Sequence, residues 1–164
     1  MSDKSKVKLM PLLLSASGVL LVGAVVFYLS LLVNKAEGGM SLHYKDSDVV
    51  DLGTSVYAKN CASCHGVALE GQANWRRRDV DGYLPAPPHD ETGHTWHHPD
   101  SYRFLMTKYG IEEMIGKSYP NNMPVFEDKL TDDEIIAALS YIKSTWSGRI
   151  QRKHDQINAR TKAH

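Results

Sequence analysis

The chain's only two cysteines stand in one pentapeptide, Cys61-Ala62-Ser63-Cys64-His65. A disulfide between them would close so short a loop that it would restrain little of the unfolded chain. The pair therefore asks for a local chemical use, and C-x-x-C-H is the pattern of covalent haem attachment. Near the end of a helix each thiol reaches one vinyl group of the same porphyrin, and the histidine after the second thiol lies beneath the iron. Other readings need more than the chain offers. A structural zinc site takes four Cys or His ligands, and the missing two would have to come from the distant His89, His94, His97 and His98. A thioredoxin-like dithiol wants a preceding strand and an α/β setting, whereas the surrounding residues read as helix and loop. The expectation is one haem c per chain, covalently bound through Cys61 and Cys64, with His65 an axial ligand.

Haem iron held in this way takes His on one side and usually Met on the other. Beyond residue 33 the chain offers Met40, Met106, Met114 and Met123. Met40 falls in a polar tether, Met106 on the apolar stripe of a helix and Met114 near the end of a short helical piece. Met123 sits in an irregular loop before Pro124, which removes an N–H that would otherwise need a partner beside an apolar haem. Met123 is the expected second metal ligand, with bis-histidine ligation as the alternative.

No charged residue occurs from Leu9 to Val33. As a helix that run would extend about 37 Å, enough to cross a hydrocarbon layer of roughly 30 Å. Lys4, Lys6 and Lys8 before it favour a cytoplasmic N-terminus. The expectation is an N-terminal transmembrane anchor; a cleaved secretion signal is the competing reading, with a poor cleavage site at Val33-Asn34-Lys35-Ala36. The implied divisions are a cytoplasmic N-terminus (1–8), the anchor (9–33), a linker (34–47), a haem domain (48–146) and a basic tail (147–164). From Glu37 to Trp146 there are 17 acidic and 10 basic residues, and from Ser147 to His164 one acidic and five basic. An acidic body argues against a nucleic-acid binder, which needs a basic face for phosphates; either surface can steer a charged protein partner.

The predicted fold is mainly α. Asp48 is the expected cap of a first helix through Val49, Leu52, Val56 and Tyr57 to about Ser63. Within it Gly53 suggests the close passage of another helix. Residues 66–99 read as loop, followed by a helix from Pro99 or Asp100 to Tyr109 and a short piece at Glu112–Ile115. The last helix is signalled by the Thr131/Glu134 capping box and the Leu130/Ile135 staple. Ile135, Leu139, Ile142 and Trp146 form its apolar stripe, and Gly148 is its expected end. The tail beyond forms a further turn or two of helix or none.

From about Asp51 to Trp146 the chain resembles the class I cytochrome c family, and a bacterial subgroup with an elongated loop before the middle helix. Gly53 and Tyr57 precede Cys61-Cys64-His65; Met123-Pro124 follows, then Ala138 and Tyr141 on the last helix. The resemblance implies that first and last helices cross at Gly53, with Tyr57 and Tyr141 packed nearby. It also implies a proline carbonyl that receives the second ring N–H of His65. Pro85, Pro87 and Pro88 compete for that part, and Pro87 is the selected candidate. The segment from Trp75 to His98 departs from the simplest family pattern. Within it Trp75, Arg76, Trp96 and His97 have the donors to serve as haem-binding neighbours of the propionates, while Arg77 and Arg78 face solvent. His89, His94, His97 and His98 are an alternative copper or zinc cluster.

No general base, nucleophile or vacant coordination position is visible, so no enzymatic activity and no small-molecule substrate are expected. The reading is of a one-electron carrier on the periplasmic side of a bacterial inner membrane, single-pass, passing electrons between respiratory or photosynthetic complexes. Its implied partners are the lipid bilayer and redox proteins, and no nucleic acid. The alternatives are a permanent haem c subunit of a membrane oxidase or dehydrogenase, and a haem-based gas sensor.

Overall fold

A computed structural model of the chain describes residues 23–25, 27, 28 and 40–162. The chain divides into two units, Met1–Gly38 and Gly39–His164. Of the first, the five described residues are helical.

The expected membrane anchor is not upheld. Among the described residues no helix is long and apolar enough to cross a membrane. Spanning takes about 20 continuous apolar helical residues, whereas the longest helix with described ends, Gly148–Lys162, has 15 residues and is rich in Arg and Lys. Apart from residues 23–25, 27 and 28, the run Leu9–Val33 lies outside the described residues, as do residues 1–8. The bilayer as partner, the single-pass topology and the inner-membrane, periplasmic placement all rested on that anchor and are withdrawn with it.

Among the described residues of the second unit the regular structure is all helical: α1 (Ser47–Asn60), α2 (Ala62–His65), a 3₁₀ turn (Thr95–His97), α3 (Asp100–Tyr109), α4 (Ile111–Ile115), α5 (Asp132–Ser144) and α6 (Gly148–Lys162). Asp46 caps α1, its carboxylate accepting the N–H groups of Asp48 and Val49 at 3.1 and 3.4 Å. A turn closed by the Asp46 N–H to the His43 carbonyl (2.9 Å) brings Asp46, rather than the expected Asp48, to the cap position.

The capping box of α5 is complete. Thr131 Oγ1 accepts from the Glu134 N–H at 3.2 Å, and the Glu134 carboxylate accepts from the Thr131 N–H at 2.8 Å. Two orphan donors of the helix start are thereby satisfied. The stripe Ile135, Leu139, Ile142 and Trp146 is buried, with Ile135 fully so. The helix stops earlier than expected. The Ser144 and Thr145 hydroxyls donate to the carbonyls of Tyr141 and Ile142 at 2.7 and 2.8 Å, and Gly148 opens α6 instead of closing α5.

α1 packs on α5 where side chains are smallest. A Cβ added to Gly53 would collide with the Ala137 carbonyl and with Tyr141 Cβ. Beside this crossing the Tyr57 and Tyr141 rings lie 5.3 Å apart. The core continues through Phe104 of α3, Phe126 of the loop before α5, and Ile150 of α6. Residues 40–46, assigned to the linker from sequence, are stitched to this core. Leu42 is buried, its N–H donates to Asp100 (3.3 Å), and the His43 N–H donates to Ser140 (3.0 Å).

Candidate haem site

The last turn of α1 delivers Cys61, and the single turn of α2 delivers Cys64 and His65. The two pieces stay in register because the Cys61 N–H still bonds to the Tyr57 carbonyl and the His65 N–H to the Cys61 carbonyl, each at 2.9 Å. Gly66, at φ +83°, ends the turn, and its carbonyl accepts the Tyr57 hydroxyl at 2.9 Å. Both thiols are free, Cys61 partly buried and Cys64 exposed. Burial, and then the neighbouring Cys64, push the Cys61 thiol up to about 11.

His65 is 8 % exposed, and its Nδ1 lies 2.8 Å from the Pro87 carbonyl oxygen. A carbonyl only accepts, so Nδ1 carries the ring proton and the lone pair is left on Nε2. That is the tautomer an iron ligand requires, with the partner bond that orients the ring and raises its basicity. Burial lowers the His65 pKa, and the bond to Pro87 opposes that shift.

Two glycines make room for the Pro87–Pro88 backbone. A Cβ on Gly71 would strike the peptide joining Pro87 to Pro88, and one on Gly93 would strike the Pro88 carbonyl. Gly71 also lies at φ +69°, where an L side chain is strained. Its N–H donates to the His65 carbonyl at 2.8 Å. The Gln72 N–H to Ala86 carbonyl and His89 N–H to Leu69 carbonyl bonds, both 2.8 Å, zip the two loops together. The chemistry of this donor set fits a covalent haem: two unpaired thiols at the attachment spacing and a histidine with one bonded and one available ring nitrogen.

Met123 is partly buried on the loop between α4 and α5 and packs against the core cluster, its N–H donating to Asn121 Oδ1 at 3.1 Å. Met40 packs on the same cluster. The Phe126 N–H to Lys108 carbonyl bond (3.2 Å) ties the Met123 loop to α3.

The remaining candidates form two stacks. In one, the Arg76 guanidinium lies 4.1 Å from the centre of the Trp75 ring. Trp75 stacks on His94 at 5.2 Å, His94 meets His98 edge-on at 5.5 Å, and His98 stacks on Tyr102 at 4.7 Å. In the other, Trp96 stacks on His97 at 3.6 Å, and the Trp96 indole N–H donates to the Glu91 carbonyl at 3.3 Å. Among the described residues no group of three or more His, Cys, Asp or Glu is placed to hold a metal ion. The alternative copper or zinc cluster thus finds no support.

Two features escaped the sequence. His89, read only as part of a histidine cluster, stacks on His65 with ring centres 3.9 Å apart and planes 19° from parallel. Burial first, then the neighbouring His65 and Arg103, hold its pKa well below 6.5. The second is a buried polar junction of α3 with α6. Arg103 Nη2 donates to Asp100 at 2.8 Å and lies 3.2 Å from His154 Nε2, which itself is 3.0 Å from the His98 carbonyl. Arg103 is 1 % exposed and His154 fully buried. Burial, and then the Arg103 charge, push the His154 pKa down to about 4, so the ring is neutral near pH 7. Among the described residues Arg103 Nε and Nη1 have no hydrogen-bond partner, and the guanidinium lies 5.2 Å from the centre of the Trp146 ring. The advance signal for this junction was the spacing of Ile150, His154 and Ile157, four and three apart, in a segment made largely of basic and polar residues.

Helices gathered around a C-x-x-C-H turn, with its histidine backed by a carbonyl, define a haem-binding class of protein. The chain belongs to the cytochrome c family: the family model described as Cytochrome c matches residues 50–146, more than half of it. It therefore has a haem c-binding domain of all-helical, class I cytochrome c-like fold. Members of that class carry electrons without catalysing a reaction, so this chain is an electron carrier and not an enzyme. No curated protein matches the chain, and no solved structure matches it.

Proposed function

We propose that the protein carries one haem c, joined to Cys61 and Cys64 through thioethers, with His65 Nε2 and Met123 sulfur as axial ligands, and that it passes single electrons between larger redox proteins. The observation that carries this reading is the 2.8 Å bond from His65 Nδ1 to the Pro87 carbonyl, on the same turn as two unpaired thiols. When bound, the haem supplies an iron that changes by one electron; the chain supplies everything else. Pro87 holds the proton on Nδ1 and so keeps Nε2 available. The loops zipped by the Gln72–Ala86 and His89–Leu69 bonds keep the ring from turning away. Met123, between Asn121 and the core, presents a soft sulfur that favours the reduced metal. Brief docking with partners is suited to small contact areas and electrostatic guidance, and respiratory or photosynthetic complexes are the partner class proposed.

The test is an optical spectrum of oxidised and reduced protein, with haem content measured after denaturation and extraction in acidified organic solvent. Pigment that stays with the polypeptide supports the two thioethers; pigment that leaves, or none, refutes them. Met123→Ala is expected to abolish the far-red methionine-to-iron band. Survival of that band in the variant rules Met123 out as a ligand.

A further inference from the structure

The bond to Pro87 fixes His65 at one corner of its ring, and a ring held at one corner can still rock. The opposite constraint comes from an unexpected neighbour. The His89 ring lies against the face of His65, 3.9 Å away and within 19° of parallel. We propose that His89 is a positioning residue, setting the plane in which the His65 imidazole stands toward the iron. This rests on the reading of His65 as axial ligand.

His89 can act as a backstop because it is itself fixed from several sides. Its N–H donates to the Leu69 carbonyl at 2.8 Å, and its own carbonyl accepts the Trp146 indole N–H at 2.8 Å. Its ring Nδ1 lies 2.8 Å from Thr95 Oγ1. The Thr95 hydroxyl has one proton, and that proton goes to the Pro88 carbonyl at 3.2 Å. Oγ1 therefore accepts from His89, and His89 is protonated at Nδ1. Tyr57 meets the ring edge-on, with centres 6.4 Å apart. An aliphatic side chain would keep the two backbone bonds but lose the Nδ1 anchor to Thr95 and the flat face. A flat ring, pinned by a hydrogen bond at its edge, presents a plane for another flat ring to lie on.

The plane of an axial imidazole decides how the iron orbitals split in the oxidised low-spin state. It is read by the pattern of haem methyl shifts in paramagnetic NMR and by the anisotropy of the electron paramagnetic resonance spectrum. The experiment compares oxidised holoprotein of wild type, His89→Leu, His89→Phe and Thr95→Val. His89→Leu is expected to reorder the methyl shifts, because the ring face is freed. His89→Phe keeps a flat face but loses the bond to Thr95, so it is expected to shift the pattern by no more than Thr95→Val does and by less than His89→Leu. Thr95→Val is expected to shift the pattern in the direction of His89→Leu by a smaller amount. A wild-type pattern in His89→Leu, with haem content and the far-red band unchanged, overturns the proposal. Should His89→Leu fail to fold, an unchanged pattern in Thr95→Val overturns it equally. Wild-type protein without haem sinks the underlying reading of the site instead, and haem content tells the two failures apart.

Discussion

The two faces of α5 and its neighbours are built on opposite principles. Where α1 crosses α5, contact is apolar and close: Gly53 against Ala137, Tyr57 against Tyr141, Ile135 sealed beneath. Where α6 meets α3, the buried groups are charged or polar: Asp100, Arg103 and His154, with Lys143 of α5 bonded to Asp155 at 2.5 Å nearby. The first junction depends on shape and is indifferent to pH. The second depends on every polar group keeping its partner, so it is sensitive to single deletions and to protons.

Three measurements sharpen the contrast. The largest effect is expected from Asp100→Ala, which leaves the Arg103 guanidinium buried without its counter-ion and costs about 4 kcal/mol in chemical denaturation. The double change Asp100→Leu with Arg103→Met removes both charges and is expected to recover most of that loss; failure to recover would mean that the polar junction is not governed by charge pairing. Next comes Ile135→Ala in the apolar junction, expected to cost about 3 kcal/mol, by the same amount at pH 5 and pH 7. A cost that changes with pH would erase the distinction between the two faces.

The smallest effect is acid sensitivity at His154. The unfolded chain takes up this proton near pH 6.5 and the folded chain only near pH 4. Stability is therefore complete above pH 6.5 and declines as the pH falls toward 4. The loss from this one residue is about 2 kcal/mol at pH 5. His94 and His98 are shifted in the same direction by burial, so His154→Gln should flatten the acid limb without abolishing it. An unaltered slope in that variant would remove His154 from the explanation.

Legibility in the sequence followed the same division. The Thr131/Glu134 box and the Ile135–Trp146 stripe are local patterns with fixed spacings, and they were readable. So was Gly53, because a glycine inside a helix pattern has few other uses. Boundaries set by loop conformation were not: Asp46 and Asp48 are both good caps, and a turn upstream chooses between them. The His65–Pro87 pair spans 22 residues of aperiodic loop, and only the resemblance to class I cytochromes c pointed to a proline at all. The stack of His89 on His65 and the burial of His154 defy composition, since histidine and arginine count as surface residues until a partner is found for them. The charge-free run before residue 34 taught the reverse lesson. An apolar stretch satisfies the length rule for a span, yet among the described residues no helix meets it.

Family similarity stops at residue 146, but the folded body does not. α6 buries Ile150 and His154, its Asp155 holds Tyr44 (3.1 Å) as well as Lys143, and its Asn158 accepts the N–H of Asp100 at 2.8 Å. A polypeptide cut where the resemblance ends would lose a wall rather than an ornament. Water would enter at Trp146, the strap at residues 40–46 would lose one of its moorings, and the fault would begin at the far end of the chain from the chemistry.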